Sequence, residues 1–361
     1  MLLNTDEQFS SLVNTKEHIW ISKEAKYEKL IRKLYEIVEK QNVRGSLLVA
    51  TDNQIVFASG TRSVETSGEE VSPYTIYEIG SITKTFTATC IFKLIDEGKI
   101  RLDDTIDKFF PNYSYSEKIT VYELLHMRSG LWDFVNDFDI FWKERSKSFE
   151  EEFWSGKIED SELLENLYKS DLKFEPDTEM SYSNTNYVLL ALIIEKITGM
   201  PYNKYVQKTI FDPLGMKNSS SVSFDDVNSK AEEEYGYHLA QHIARGAGDI
   251  HSNVLDMLKL DRALFSNRII SKESLEIMLN DEDGYGCGWM SEAYPDCWWC
   301  QQGEEVDRQL YFHPGETLSF VSCNIVMNVY GQRLYVIMMS PCLQDIDASI
   351  ILACKEYIKE I

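Results

Sequence analysis

Short β-prone runs lie near both ends of the chain and enclose a long block of helical patterns. Residues 46–60 have the pattern of a hairpin, because two β-prone runs flank the turn signal Asp52-Asn53. From about residue 284 the pattern changes to short β-rich runs that are separated by turn residues. Each strand needs a neighbouring strand for its backbone hydrogen bonds. The sequence therefore predicts one antiparallel sheet that is built from both ends of the chain.

The predicted fold class is α/β, in the α+β sense: an antiparallel sheet flanked by N- and C-terminal helices, plus a mainly helical lobe. The chain has 361 residues, which is enough for two domains or one elaborated domain. We assign residues 17–80 and 235–361 to the sheet domain and residues 81–234 to the helical lobe. Ligand sites usually lie in clefts, so we expect the active site between the two lobes.

A Ser-x-x-Lys motif, with Ser81 and Lys84 at its ends, follows Gly80 at the start of a predicted helix that ends before Gly98. Residues three apart share one face of a helix, so Lys84 can reach the Ser81 hydroxyl. A neighbouring base activates a serine hydroxyl as a nucleophile, and the helix N-terminus favours an anion there. The same spacing recurs at Ser170 without a preceding glycine, and we interpret that copy as chance. Taken alone, the motif is weak, and Ser81 is better explained as a plain N-cap.

Tyr182 and Asn184 lie in a polar turn just before a helix that is apolar almost all round. Asn184 offers both a donor and an acceptor to a substrate amide. Tyr182 can act as a general base only if a cation depresses its pKa, and Lys84 is the candidate cation. A polar N-cap loop explains the same residues without any chemistry.

His313, Pro314 and Gly315 lie at the end of a predicted strand. His313 can serve as a proton shuttle or a hydrogen-bond donor, and Gly315 permits close approach of a substrate to the backbone. The amides of Glu316 and Ser81 can together form an oxyanion hole. A histidine at a strand end also has an ordinary structural explanation.

The three motifs in this order, S-x-x-K, Y-x-N about a hundred residues later and H-x-G near the C-terminal strands, resemble those of the serine β-lactamase and penicillin-binding-protein family. The similarity is closest to the class C β-lactamase-like branch, with its D-alanyl-D-alanine carboxypeptidase, D-amino-acid peptidase and esterase relatives. It runs from about residue 40 to the end of the sequence. Other segments that look like this branch are IYEIGSITKTFTA, DDTIDKFFP, ITVYELLHMRSGL, FEPDTEMSYSNTNYVLLALIIEKITG, DPLGM and GAGDIHSNVLDMLKL.

The resemblance implies a β-lactamase/transpeptidase-like fold and an acyl-enzyme on Ser81. It implies that Lys84 and Tyr182 share the proton transfers and that Asn184 holds the substrate amide. It also implies that the strand from His313 to Glu316 lines the other side of the cleft. Neither a metal nor an organic cofactor is expected.

The third motif departs from the family pattern. Many β-lactamases have K-T-G there, where the lysine and threonine help to bind the antibiotic's carboxylate. This chain has His313-Pro314-Gly315, which lacks the fixed cation and the hydroxyl. We therefore expect cleavage of esters or small amides in preference to β-lactams. The alternatives are that Arg308 or Arg333 replaces the missing lysine, or that the chain is a non-catalytic, penicillin-binding-like module of the same fold.

The chain is strongly acidic, with a formal net charge of −23. Such a surface repels phosphate backbones and anionic lipids, so we expect a small-molecule or peptide substrate, no nucleic-acid partner and no membrane partner. The first 20 residues lack the pattern of a secretory signal, and no run of about 18 apolar residues is present. We therefore expect a cytoplasmic protein. The sequence does not indicate an oligomeric state.

Seven cysteines are present, an odd number, and several lie in apolar runs. This pattern is typical of buried, reduced thiols in a cytosolic protein. Cys297 and Cys300 form a C-x-x-C pair, which occurs in redox and zinc sites. No second pair follows at zinc spacing, and the segment does not open a helix, so we interpret the pair as structural. The two tryptophans between these cysteines are candidates for the mouth of the cleft.

Overall fold

An eight-stranded sheet is the largest β-structure in the computed structural model, and every pair of neighbouring strands in it is antiparallel. Its strand order is β1-β2-β4-β3-β11-β10-β9-β8, while β5, β7 and β6 form a second, small sheet. The strands are β1 Val13–Lys16, β2 Ile19–Ile21, β3 Ser46–Thr51, β4 Ile55–Gly60, β5 Tyr77–Glu78, β6 Ser220–Ser221, β7 Ile250–Ser252, β8 Met290–Ser291, β9 Arg308–Glu316, β10 Val321–Val329 and β11 Gln332–Ser340.

Helices form most of the chain between the two groups of strands. The α-helices of the described residues are α1 Thr5–Ser10, α2 Glu28–Gln41, α3 Thr83–Asp96, α4 Val121–Leu125, α5 Phe138–Phe141, α6 Asp160–Lys169, α7 Asn184–Thr198, α8 Tyr202–Val206, α9 Asp212–Leu214, α10 Val254–Phe265, α11 Lys272–Leu279 and α12 Ala348–Glu360. Short 3-10 turns span Ala25–Tyr27, Gly80–Ile82, Ile106–Lys108 and Ser116–Lys118, and a π-helical turn spans Gln207–Phe211.

The structure describes most of the chain. The described residues are 4–16, 18–41, 43–60, 71–143, 145, 149–150, 153, 158–221, 244–281, 283–295, 308–317, 320–329, 332–340 and 348–360. Within them, no helix combines the length and the apolar character that crossing a bilayer requires.

The sheet joins the two ends of the chain, as the sequence predicts. Strands β3 and β4 form the hairpin expected over residues 46–60, and β3 pairs with β11 so that Leu48 lies opposite Ile337. Almost every residue of β3, β4 and β11 is buried, so both faces of the sheet are covered. The predicted α/β class with an antiparallel sheet and flanking helices is confirmed.

Amphipathic and apolar helices cover this sheet. Helix α2 has its apolar residues on one face, which packs on β4 and on the C-terminal helix α12. Helix α10 packs against β3 and β11. Helix α7 is buried through most of its length, as its almost continuous apolar sequence predicts, and it packs against α3 and α4. The packing of α3 and α7 brings the first two sequence motifs together.

The nucleophile motif begins one turn before the α-helix proper. The sequence predicts a helix that starts at Ser81, whereas the structure has a 3-10 turn over Gly80–Ile82 and an α-helix from Thr83. Gly80 has a φ of +50°, which redirects the chain from β5 into this turn. The predicted end at Gly98 agrees with the structure, since that glycine has a φ of +68° just after the helix.

Candidate active site

The side chains of Ser81 and Lys84 are in contact, as their spacing predicts. Lys84 Nζ lies 2.9 Å from Ser81 Oγ. Ser81 is half-buried, whereas Lys84 has no exposed surface. The serine therefore remains open to a substrate while its neighbouring amine is shielded from water.

Lys84 has two further hydrogen-bond partners, Asn184 Oδ1 at 2.7 Å and the carbonyl oxygen of Ala247 at 2.8 Å. Burial lowers the pKa of Lys84 to about 7, and the nearby carboxylate of Asp133 offsets part of this effect. A neutral amine has two hydrogens and one lone pair. It can donate to Asn184 and Ala247 and accept the hydrogen bond from the Ser81 hydroxyl, which is the arrangement that a general base requires.

Asn184 is held from two sides at the start of α7. Its Oδ1 accepts from Lys84, and its Nδ2 donates to Asp133 Oδ2 over 2.9 Å. The sequence suggests that Asn184 offers both a donor and an acceptor to a substrate. In the structure Lys84 uses one of the two lone pairs of Oδ1, and the Asp133 carboxylate holds Nδ2, so the capacity that remains for a substrate is one lone pair and one Nδ2 hydrogen.

Tyr182 lies beside the nucleophile, and Lys84 Nζ is 4.9 Å from the centre of its ring. The sequence argument requires a cation that depresses the pKa of Tyr182, and the structure contradicts this condition. Burial raises the pKa of Tyr182 well above its usual value, and the carboxylate of Asp133 adds to the rise, although a hydrogen bond with Ser81 offsets part of it. Tyr182 is therefore a protonated phenol, which can donate or relay a proton but does not start as a tyrosinate base.

Strand β9 passes beside the turn Gly80–Ile82, which carries Ser81. Some residues of β9 face this turn, and others face the protein interior. The backbone of Glu316 approaches Gly80 so closely that a Cβ on Gly80 would lie 2.8 Å from the Glu316 nitrogen. Gly315 lies against the backbone of Ile79, where a Cβ would be 2.0 Å from the carbonyl oxygen. The glycine thus makes room for the protein's own chain, not for a substrate as the sequence argument assumes.

His313 is completely buried behind the cleft. Its Nδ1 lies 2.7 Å from the Pro314 carbonyl oxygen, and its Nε2 lies 3.4 Å from the Tyr285 hydroxyl. Burial, with a smaller effect of Lys84, lowers the pKa of His313 to about 3, so the imidazole is neutral near pH 7. The structure therefore places His313 against the aromatic rings of Tyr182 and Tyr285 instead of on the cleft surface.

A cleft of about 370 Å³ opens over Ser81. Glu316 is the only acidic or basic side chain among its described lining residues. The remaining surface is formed by small, polar and apolar groups: Gly80, Ser81, Phe134, Val135, Asn136, Tyr182, Asn184, Ala244, Ala247, Gly248 and Thr317. The cleft thus brings together Ser81, Tyr182, Asn184 and Glu316 from three separate sequence motifs.

This arrangement brings together a serine and a buried amine from the first motif and a phenol from the second, beside the strand that carries the third. The sequence profile of the Beta-lactamase family matches residues 28–347. The chain belongs to the β-lactamase family.

Several penicillin-binding proteins and amidases are similar to this β-lactamase family member. Penicillin-binding protein 4* of Bacillus subtilis (strain 168) is 30% identical over 300 residues, which cover 74% of this chain and 64% of that protein. The putative penicillin-binding protein PbpX of the same organism is 25% identical over 272 residues, covering 72% and 64%. The chain thus spans a little under two thirds of the length of these curated relatives.

Solved structures with the same fold include two amide hydrolases. The D-stereospecific amidohydrolase from Streptomyces sp. has a TM-score of 0.66 and 25% identity, covering 91% of this chain and 98% of that chain. The D-amino acid amidase from Ochrobactrum anthropi SV3 has a TM-score of 0.68 and 24% identity, covering 92% and 100%. The second likeness is evidence for the fold alone.

Two contributors to the site were missed at the level of sequence. Asp133 is buried and accepts hydrogen bonds from the backbone and side chain of Asn184, and Ala247 supplies a carbonyl oxygen to Lys84. Ala247 lies in GAGDIHSNVLDMLKL, a segment that resembles the family, and Asp133 lies two residues after another such segment, ITVYELLHMRSGL. A backbone carbonyl has no sequence signature, and a lone aspartate acquires its role only through the tertiary packing of α7.

Two sequence alternatives also have an outcome. The Ser170 hydroxyl donates to the Leu167 carbonyl at the end of α6, so that second S-x-x-K copy is a helix terminus. Arg333 pairs with Asp52 over 3.1 Å and lines a different cavity, so it does not replace the missing lysine. The side chain of Arg308, the C-x-x-C pair and the two tryptophans within it lie outside the described residues.

Proposed function

We propose that the protein hydrolyses esters or small amides through an acyl-enzyme on Ser81. The observation that carries this proposal is the 2.9 Å contact between Ser81 Oγ and a fully buried amine, Lys84, whose pKa burial lowers to about 7. An amine in this state is a base of suitable strength near neutral pH. The amidohydrolase and penicillin-binding-protein relatives are consistent with this chemistry.

In the first half of the reaction, Ser81 Oγ attacks the substrate carbonyl carbon while its proton passes to Lys84 Nζ. The amides of Ser81 and Glu316 stabilise the oxyanion that forms, and the free Nδ2 hydrogen of Asn184 holds the substrate carbonyl or amide. Tyr182 gives its proton to the departing alcohol or amine and regains one from the Lys84 ammonium. The carbon–oxygen or carbon–nitrogen bond breaks and leaves an ester on Ser81.

Water completes the cycle by attacking the ester on Ser81. Lys84, neutral again, accepts a proton from this water through the same Lys84–Tyr182 path, and the departing Ser81 oxygen takes that proton back. The acid product and the free enzyme result, so the proton count balances over the two halves.

The cleft favours neutral or cationic substrates. Glu316 supplies its only ionised side chain among the described lining residues, and the whole chain carries −23. A short ester, a small amide or a peptide with a free amino group fits this field better than a carboxylate-bearing β-lactam does. Esterase and carboxypeptidase activities, a cytoplasmic location and the lack of nucleic-acid or membrane partners remain part of this proposal.

Labelling with a fluorescent fluorophosphonate and turnover of a nitrophenyl ester test the proposal together. Ser81→Ala should abolish both while far-UV circular dichroism and thermal unfolding stay unchanged. Ser170→Ala is the matched control and should keep wild-type labelling and turnover. Wild-type turnover in Ser81→Ala would overturn the role of Ser81. A protein that is neither labelled nor active would instead be a non-catalytic ligand-binding module.

A further inference from the structure

A second cavity, separate from the active-site cleft, has more basic than acidic residues in its described lining. Its volume is about 470 Å³, and it lies between α1, the β3–β4 turn, the segment around Gly215 and helix α10. Five basic and two acidic side chains line it among the described residues. The basic ones are Lys217, Lys259, Arg262, Arg268 and Arg333, in a chain whose net charge is −23.

Arg262 is a buried cation of this lining, and no carboxylate among the described residues forms an ion pair with it. It is 8% exposed, and its guanidinium donates to the Thr51 carbonyl over 2.6 Å and to Gln8 Oε1 over 3.0 Å, both neutral acceptors. By contrast, Lys259, which is also buried, pairs with Asp256, and Arg333 pairs with Asp52. Asp52 and Asp261 attract Arg262 only from beyond ion-pair distance, so an anion that reached its guanidinium directly would be stabilised there.

Two groups at the same cavity add to its positive field. Lys217 has no ion-pair partner among the described residues, and Arg268 brings a second guanidinium to the lining. Guanidinium groups form paired hydrogen bonds with phosphate oxygens, and ammonium groups bind phosphate as point charges. The acidic residues of the lining are half-exposed: the side chain of Asp6 is 54% exposed and that of Asp52 is 36% exposed. Solvent therefore screens them more than it screens Arg262.

We propose that this cavity binds a small phosphate-bearing anion. Its volume is larger than a single phosphate needs and lies in the range of small-molecule sites, so the ligand carries an organic portion beyond the phosphate group. The strongly negative molecule as a whole repels long polyanions, whereas a small anion can enter a local basic cavity. The site is thus distinct from the hydrolytic cleft in both its charge and its lining residues.

Isothermal titration of the full chain with pyrophosphate, at constant ionic strength set with chloride, tests this proposal. We expect saturable binding at one site that weakens as salt is raised. Lys217→Glu should weaken it by roughly tenfold or more, as expected for reversing one charge a few ångströms from the ligand. Lys99→Glu makes the same charge change outside the cavity and should have little effect.

Two further variants locate the site. Ser81→Ala should retain pyrophosphate binding, because the active-site cleft is not involved. Arg262→Gln should abolish pyrophosphate binding if the variant folds. If it does not fold, the comparison of Lys217→Glu with Lys99→Glu still decides the test. Two results would overturn the proposal: no saturable binding of pyrophosphate, or equal weakening by Lys217→Glu and Lys99→Glu.

Discussion

The chemistry of a single residue, Lys84, depends on its surroundings more than on its identity. In water a lysine is protonated at neutral pH and cannot accept a proton. Here its Nζ has three protein partners and no exposed surface, and burial lowers its pKa to about 7. Asp133 works in the opposite direction, so the position of this one carboxylate adjusts the strength of the base.

The pH dependence of catalysis follows from this pKa. We expect kcat/KM for ester hydrolysis to rise with pH through a midpoint near the Lys84 pKa of about 7, because only the neutral amine can accept the Ser81 proton. His313→Gln should leave that midpoint in place, since the pKa of His313 is lowered to about 3 and the ring stays neutral throughout. A profile that is flat around neutral pH would contradict Lys84 as the base.

Lys84 and Tyr182 should behave as one proton path. Lys84→Ala and Tyr182→Phe are each expected to lower kcat by ~10²–10⁴, the usual range for a general acid–base group. The double variant should be little worse than the poorer single variant, because the second change removes a path that is already broken. Tyr202→Phe removes another buried hydroxyl, which contacts Thr87, and serves as the control for packing effects. Fully additive losses would mean that the two groups act in separate steps.

At the scale of elements, the site depends on how closely strand β9 approaches the turn that carries Ser81. Ser322 on the neighbouring strand β10 donates a hydrogen bond to the Ile79 carbonyl over 2.9 Å, at the point where Gly315 leaves room for it. The oxyanion hole that we propose therefore depends on sheet packing as much as on the amides of Ser81 and Glu316.

Gly315→Ala should damage both stability and catalysis. Its Cβ would lie 2.0 Å from the Ile79 oxygen, which forces β9 away from the nucleophile turn and costs about 1–3 kcal/mol of unfolding free energy. Gly98→Ala is the matched control, since its Cβ would meet nothing within 4 Å and only its φ of +68° is unfavourable. It should lose stability but keep ester turnover, as measured by urea unfolding and nitrophenyl ester assays. Normal activity in Gly315→Ala would contradict this account of β9.

Local sequence patterns predicted the main strands and helices and the contact between Ser81 and Lys84, because each depends on residues that are close in the sequence. The Ser81–Lys84 contact follows from helical spacing, and the hairpin of β3 and β4 follows from its turn residues. The burial of His313 and the contacts of Asn184 with Lys84 and Asp133 were not predictable in this way. They arise where α7, β9 and the segment around Ala247 meet, and a linear pattern has no measure of how deeply a side chain is buried after such packing.

On the scale of the whole molecule, charge is unevenly distributed between the two cavities. The active-site cleft holds Glu316 as its ionised lining residue among those described, while the second cavity collects five cations around α10. We therefore expect anionic compounds and hydrolysable substrates to bind at different places on the same protein. This separation favours esters and amides over carboxylate-bearing β-lactams at Ser81.

Comparison of a short-chain nitrophenyl ester with nitrocefin measures this preference. We expect a higher kcat/KM for the ester, and Glu316→Lys should raise the relative value for nitrocefin by about tenfold through charge reversal at the cleft. Glu273→Lys makes the same charge change on exposed helix α11, so it should leave the ratio unaltered. A clearly higher kcat/KM for nitrocefin in the wild-type protein would contradict the preference.

The pairing of β3 with β11 also governs when during synthesis the protein can work. A ribosome releases Ser81 and Lys84 long before it releases β9, β10 and β11. Until those strands are synthesised, one edge of β3 is unpaired. The amide of Glu316, which we propose for the oxyanion hole, is also missing, and the cleft over Ser81 is incomplete. We therefore expect a nascent chain that lacks these strands to be inactive and hydrolysis to appear only after they complete the sheet.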